Sequence, residues 1–306
     1  MSGTPHVLMI FLDGVGIGKK NPAINPFFSS RLTTLQSLLG GNIPYLRNCH
    51  YSGNHVTLKP INATLGVPGL PQSGTGQTAL LTGVNASKFI GKHFGPYPYS
   101  TLKPVIEEKN IFKVLSTAHK KTLYANAFPP KYFEYINSTK TRTTAISYSW
   151  LSSGFALNTH ETLAHGKALS SDITSEKWNK LGFPSVPELS LQDAGKRLIE
   201  LTNKHHFVLF EYYYTDHAGH SQSMETSRQV LEAIDGMLEG VVQHLDPKKH
   251  LLLLTSDHGN IEDLSTKSHT RNPVPLLLMG KGHTHMASKI KNLTHVTPAI
   301  LNVLLS

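Results

Sequence analysis

Near the C-terminus three residues of metal-ligand type fall within a thirteen-residue span: Asp257, His258 and His269. The Asp257-His258 pair follows the run Leu251-Leu-Leu-Leu254. An apolar run of this length bounded by polar residues reads as a buried parallel strand. The pair then stands at the strand's carboxyl end, where open α/β sheets bind ligands. It offers one oxygen and one nitrogen to a divalent cation, and His269 can return from the following loop. Two other segments repeat the pattern. Phe207-Val-Leu-Phe-Glu211 reads as a strand, and past its end come Asp216, His217 and His220. Asp216 and His220 are four apart, so one helical turn aims both at one ion; His217 faces elsewhere at that spacing and reads as a bystander. Val7–Leu12 is a third apolar strand, followed directly by Asp13. Each fragment alone is also explained by a turn-capping Asp and an ordinary hydrogen-bonded His. Three strands each ending in a carboxylate are a rare coincidence in a random globular chain.

A nucleophile candidate lies between these elements. Pro71-Gln-Ser73-Gly74-Thr75-Gly runs into a small-residue helix ending at Thr82-Gly. A helix N-terminus presents unpaired N–H groups and the positive end of a dipole, and so binds phosphate-like anions. A serine there can be ionised by a bound metal and attack phosphorus. In isolation the same turn is a plain Ser/Thr helix cap.

Five pieces in order, Leu12-Asp13-Gly, the Ser73 turn, Asp216-x-x-Gly-His220, Asp257-His258-Gly-Asn260 and His269-Thr-Arg271-x-x-Val-Pro275, resemble the alkaline phosphatase superfamily of metalloenzymes. The branch they are most similar to is that of the cofactor-independent phosphoglycerate mutases and phosphopentomutases. The resemblance covers residues 6–90 and 190–306. It implies that Asp13, Ser73, Asp257 and His258 hold one divalent cation and Asp216, His220 and His269 a second. It favours Ser73 as nucleophile over Thr75, because Ser73 stands nine residues before Thr82-Gly, the offset in the superfamily pattern. Gly74 in the turn, Arg271 after the ligand His269, and Arg142 would meet the substrate. A mixed Asp/His shell suits Zn²⁺ or Mn²⁺ equally, and paired ions roughly 3.5–5 Å apart would stabilise both oxygens of an in-line displacement.

Other chemistries are excluded by spacing. Gly14-x-Gly16-x-Gly18 fails the dinucleotide pattern at Lys19, and neither a Gly-x-Ser-x-Gly elbow nor His-Glu-x-x-His occurs. Ser73-Gly-Thr-Gly-Gln77 lacks the proline and arginine of a sulfatase motif. Tyr212-Tyr-Tyr214 reads as packing at a strand end. The net charge is +9 with 18 histidines, a field that would attract a small anionic ester. Lys and Arg are dispersed, so nucleic acid is not an expected partner. No apolar run approaches the roughly 20 residues of a membrane span. There is no basic region before the first apolar run, and the lone Cys49 fits a reducing compartment; together these predict a cytoplasmic protein.

At 306 residues the chain can bury a large core. Strands at 7–12, 122–128, 207–211, 250–255 and 275–279 alternate with helices at 106–118, 191–204, 223–245 and 296–305. This order predicts an α/β fold with a mostly parallel sheet covered on both faces. Residues 1–136 and 189–306 would form the core. The Ser-, Thr- and Pro-rich stretch 137–188 would form a small cap or elaborated loop over the sheet's carboxyl edge. The mutases of the family carry a large cap with cationic substrate ligands. Here the region offers Lys131, Lys140, Arg142 and Lys167. The expectation is therefore hydrolysis of phosphate esters through a phosphoserine. Mutase activity is the alternative, and a non-catalytic, metal-stabilised binding protein the reading from another class.

Overall fold

The computed structural model describes residues 3–138 and 142–306. Its strands are β1 (His6–Leu12), β2 (Tyr51–Ser52), β3 (Val56–Ile61), β4 (Thr122–Tyr124), β5 (Asn126–Ala127), β6 (Leu169–Ser170), β7 (Phe207–Tyr212), β8 (His250–Thr255) and β9 (Val274–Gly280). Seven of them form one sheet in the order β2-β3-β9-β8-β1-β7-β4. β8, β1, β7 and β4 run parallel, while β9 lies antiparallel between β8 and β3. All residues of β7 and β8 are buried, as their unbroken apolar runs require. Alternate side chains serve opposite layers. Val7, Met9 and Phe11 enter one core with the helices Ser73–Thr82, Ile111–Thr117, Ala145–Ser152 and Val296–Leu305. Leu8, Ile10 and Leu12 enter the other with Leu191–Thr202 and Met224–His244. Those last two helices cross closely: a Cβ on Gly240 would overlap the Gln192 carbonyl, and one on Gly195 the Met237 carbonyl.

The direction of β9 decides where the site forms. Because β9 returns antiparallel beside β8, residues 256–273 leave and re-enter the sheet at the same edge. That edge is the carboxyl end of β1, β7 and β8.

Three elements differ from the sequence expectation. The strand expected over 122–128 divides at Ala125. β4 stays in the main sheet, and β5 turns away to pair with β6. The helix expected over 106–118 is two helices, Lys103–Lys109 and Ile111–Thr117. Asn110, extended at ψ 150°, caps the second with its side chain on Lys113 N. β2 and β3 were not anticipated, because Lys59 and Pro60 break the apolar pattern of β3. Proline is tolerated where the neighbouring strand is only two residues long. Within 137–188, helix Ala145–Ser152 packs Ile146 and Trp150 into the main core, while Leu163, Ala168, Trp178 and Val186 form a satellite cluster with Ala127. Lys140 lies outside the described residues. No helix among the described residues is long and apolar enough to cross a membrane.

Candidate metal centre

The strand ends bring two sets of ligand-type atoms together. In the first, His258 Nε2 lies 3.3 Å from Asp13 Oδ1 and 3.6 Å from Asp257 Oδ2. In the second, Asp216 Oδ2 lies 3.2 Å from His220 Nε2, and Asp216 Oδ1 3.6 Å from His269 Nε2. The two imidazole Nε2 atoms of that set are 3.3 Å apart. The rings of His258 and His269 stack at 3.8 Å, so the two sets share a boundary. Ser73, first residue of the helix Ser73–Thr82, places its Oγ 2.9 Å from His258 Nε2.

Backbone and side-chain anchors hold these groups. The Nδ1 atoms of His269 and His220 each pair with a carbonyl, Pro71 O and Lys267 O, both at 2.8 Å. Each ring is thereby fixed with its Nε2 turned inward, the arrangement that orients metal-ligating histidines. Asn260 Nδ2 donates to Asp216 Oδ1 at 2.6 Å, and Gln77 Nε2 to Asp13 Oδ2 at 3.3 Å. Gly14, at φ +68°, sits where any Cβ would strike Asp216. Glu262, buried at 1 % exposure, ties the returning loop to the β1 end. It accepts from Gly16 N at 2.9 Å, Asn260 N at 2.7 Å, Asn272 Nδ2 at 3.0 Å, and from the Thr270 hydroxyl.

The electrostatics favour a cation. Asp13 Oδ1 and Asp257 Oδ2 are buried and accept no hydrogen bond, an expensive state for a carboxylate oxygen. Burial first, and then the neighbouring carboxylates, push Asp13 well above the usual carboxylate range and Asp257 to about 8. Burial and the adjacent His269 hold His258 well below its ordinary value. Two unpartnered carboxylate oxygens converging on a neutral imidazole nitrogen make an acceptor-rich shell that a divalent ion would satisfy.

The other predicted residues fall out differently. Thr75 is fully buried. Its hydroxyl, the alternative nucleophile of the sequence, donates to Gln72 O and accepts from Phe94 N, both at 3.2 Å. Gly74 packs where a Cβ would overlap the Phe94 and Tyr97 carbonyls. Arg271 is exposed and donates through Nε to Gly69 O at 3.0 Å. Arg142 lines a neighbouring groove beside Tyr97 and Tyr99.

A cleft of about 520 Å³ opens beside Asp13, Ser73 and Asp216. His217, expected as a bystander to the candidate ligands, lines it. Of the three tyrosines, Tyr212 is buried at 3 % exposure as expected, but Tyr213 and Tyr214 line the cleft. Lys177 and Glu211 also line it, and neither was singled out from sequence. Burial pushes Glu211 up to about 7, partly offset by the Tyr124 hydroxyl. A polar last residue in an otherwise apolar strand was the available signal for Glu211; Lys177 left none.

A family model described as the metalloenzyme superfamily matches residues 5–306. The 2,3-bisphosphoglycerate-independent phosphoglycerate mutase of Antithamnion sp. is 32% identical over 143 residues, covering 43% of this chain and 28% of that protein. The mutase of the same name from Methanococcus vannielii is 34% identical over 101 residues, 33% of this chain and 24% of that protein. The chain therefore matches less than a third of the length of these relatives. Among solved structures, the alkaline phosphatase of the Antarctic bacterium TAB5 superposes with a TM-score of 0.54 at 12% identity, covering 100% of this chain and 99% of that one. A Leishmania mexicana phosphoglycerate mutase gives 0.50 at 11% identity, covering 99% and 95%. At these identities the structural likeness shows the fold.

Proposed function

The chain belongs to the metalloenzyme superfamily, as a metal-dependent enzyme of the phosphatase and phosphomutase type, and on that premise we propose that it carries a phosphoryl group from a phosphate ester through Ser73 to an acceptor. The observation that carries this reading is the Ser73 hydroxyl, at a helix N-terminus and 2.9 Å from His258 Nε2, beside two buried carboxylate oxygens without hydrogen-bond partners. Two divalent cations, Zn²⁺ or Mn²⁺, held by Asp13, Ser73, Asp257 and His258 and by Asp216, His220 and His269, would lower the pKa of the Ser73 hydroxyl and neutralise charge on the phosphoryl oxygens. Ser73 Oγ forms a bond to phosphorus as the ester P–O bond breaks, and the proton lost by Ser73 leaves on the released alcohol. The Ser73 and Gly74 amides at the helix start donate to the phosphoryl oxygens. The Thr75 amide is engaged with Phe94 O at 2.9 Å.

The acceptor separates two readings. The curated relatives are named mutases, which supports return of the phosphoryl group to another hydroxyl of the same alcohol. That is the alternative of the sequence reading, and it now takes precedence. Hydrolysis is favoured by one observation: among the described residues, Lys177 is the only lysine or arginine lining the cleft, leaving little charge to retain an anionic intermediate. Orthophosphate release from a panel of esters, run beside isomerisation of phosphoglycerates and pentose phosphates, decides between them. Isomerisation without orthophosphate release is the expected result; release without isomerisation makes the enzyme a phosphatase.

A further inference from the structure

The cleft beside Ser73 is lined by aromatic rings more than by charge. Phe128 and Tyr132 stack at 4.5 Å and 25°, and Tyr213 and Tyr214 at 4.7 Å and 26°. Both pairs line the cleft. Lys177 Nζ sits 3.9 Å over the Tyr214 ring, a contact that fixes that ring. Leu181, also lining it, is 53 % exposed. Asp172, another charged lining residue, accepts from Ser175 N at 3.1 Å and Lys177 N at 2.9 Å, so it holds its own loop. Glu211 is paired with Tyr124. A three-carbon acid would find little here to hold its carboxylate. A flat ring would bury apolar surface against these pre-positioned aromatic side chains, which is how mostly apolar pockets fix a ligand.

We propose that the alcohol part of the phosphate ester is a ring with a flat apolar face, seated in the aromatic cleft formed by Phe128, Tyr132, Tyr213 and Tyr214. The proposal rests on the phosphoryl-transfer reading for its substrate but concerns a separate part of the cleft. Ring stacking on aromatic side chains gives about tenfold per ring removed. Aryl, nucleoside and sugar esters share this chemistry.

Binding and turnover test it separately. Calorimetric titration of the metal-loaded protein with phenylphosphonate and methylphosphonate, neither of which can be transferred, should show the phenyl compound at least about tenfold tighter. In Phe128→Ala and Tyr132→Ala that ratio should fall several-fold. Turnover of phenyl phosphate, thymidine 5′-monophosphate and glucose 1-phosphate is compared with glycerol 2-phosphate and 3-phosphoglycerate. At least one ring ester should exceed both open-chain esters about tenfold in kcat/KM, and which one leads tells an aromatic ring from a sugar. Equal affinity for the two phosphonates, or open-chain esters turned over as well as every ring ester, overturns the proposal. A phenylphosphonate preference in a protein inert to all esters upholds the ring cleft and refutes phosphoryl transfer.

Discussion

Replacing Asp257 by asparagine should have opposite effects on the metal-free and metal-loaded protein. Asp257 has no exposed surface, and its carboxyl is pushed from 3.8 to about 8 by burial and by Asp216. A carboxyl with a raised folded pKa is stabilised in the fold only while protonated, so its presence opposes folding once the pH exceeds its unfolded value. At pH 7 the difference from 3.8 is about three units, on the order of 4 kcal/mol at 1.36 kcal/mol per unit. Asparagine removes that opposition and can still accept from Gly14 N, which lies 3.4 Å from Asp257 Oδ1. In chelator the variant should therefore melt higher than wild type, by roughly 3–6 °C for a chain of this size. With Mn²⁺ or Zn²⁺ present the order should invert, because the variant loses a charged ligand and with it the stabilisation that binding confers. Differential scanning fluorimetry at pH 7, with chelator and with each metal, reads both signs. A variant less stable than wild type in chelator would refute the argument that Asp257 is held at a cost for a cation.

The same groups set a pH dependence. Between about pH 7 and 8 the metal-free wild type should lose stability as pH rises, since folded Asp257 and Glu211, pushed up to about 8 and about 7, keep protons that the unfolded chain has already released, and the raised Asp13 acts in the same direction; metal-loaded protein should gain, because binding releases those protons. A Tm that rises with pH in chelator would contradict this. Glu262→Ala should destabilise by roughly 3–5 kcal/mol by stranding several buried donors, and metal affinity by calorimetry should fall about 10–100-fold. Gly240→Ala should cost roughly 2–4 kcal/mol by forcing the helices Leu191–Thr202 and Met224–His244 apart, measured by urea denaturation, with metal stoichiometry unchanged.

The candidate ligand groups were legible because each is attached to a strong local signal. Where an unbroken apolar strand ends, the polar residues just beyond it stand at the sheet's carboxyl edge, and Asp13 directly, and Asp257-His258 two residues further on, are placed there. Asp216 and His220 follow from helical spacing. What escaped notice depends on contacts between segments far apart in the chain. Glu262 reads as one more acidic loop residue until Gly16, Asn260 and Asn272 converge on it. Lys177 sits in a short helix of the least patterned region and matters only because that helix lies over Tyr214. Thr75 and Ser73 both offer a hydroxyl in the turn, and the bond from Phe94 N to the Thr75 hydroxyl is invisible in the sequence. Arg271 follows the candidate ligand His269 in sequence, and its side chain bonds to Gly69 O. The antiparallel entry of β9 has no marker in its own sequence, although it brings His269 back to the site.

The most direct test of the central claim is the covalent state of Ser73. Metal-loaded protein is mixed with phenyl phosphate, quenched in acid within milliseconds to seconds, digested, and the peptide containing Ser73 is examined by mass spectrometry. The account predicts one added phosphoryl group on Ser73 with release of phenol, absent in chelator, and loss of both the adduct and phenol release in Ser73→Ala. Undiminished phenol release in Ser73→Ala, or a phosphoryl group found on another residue, would contradict it.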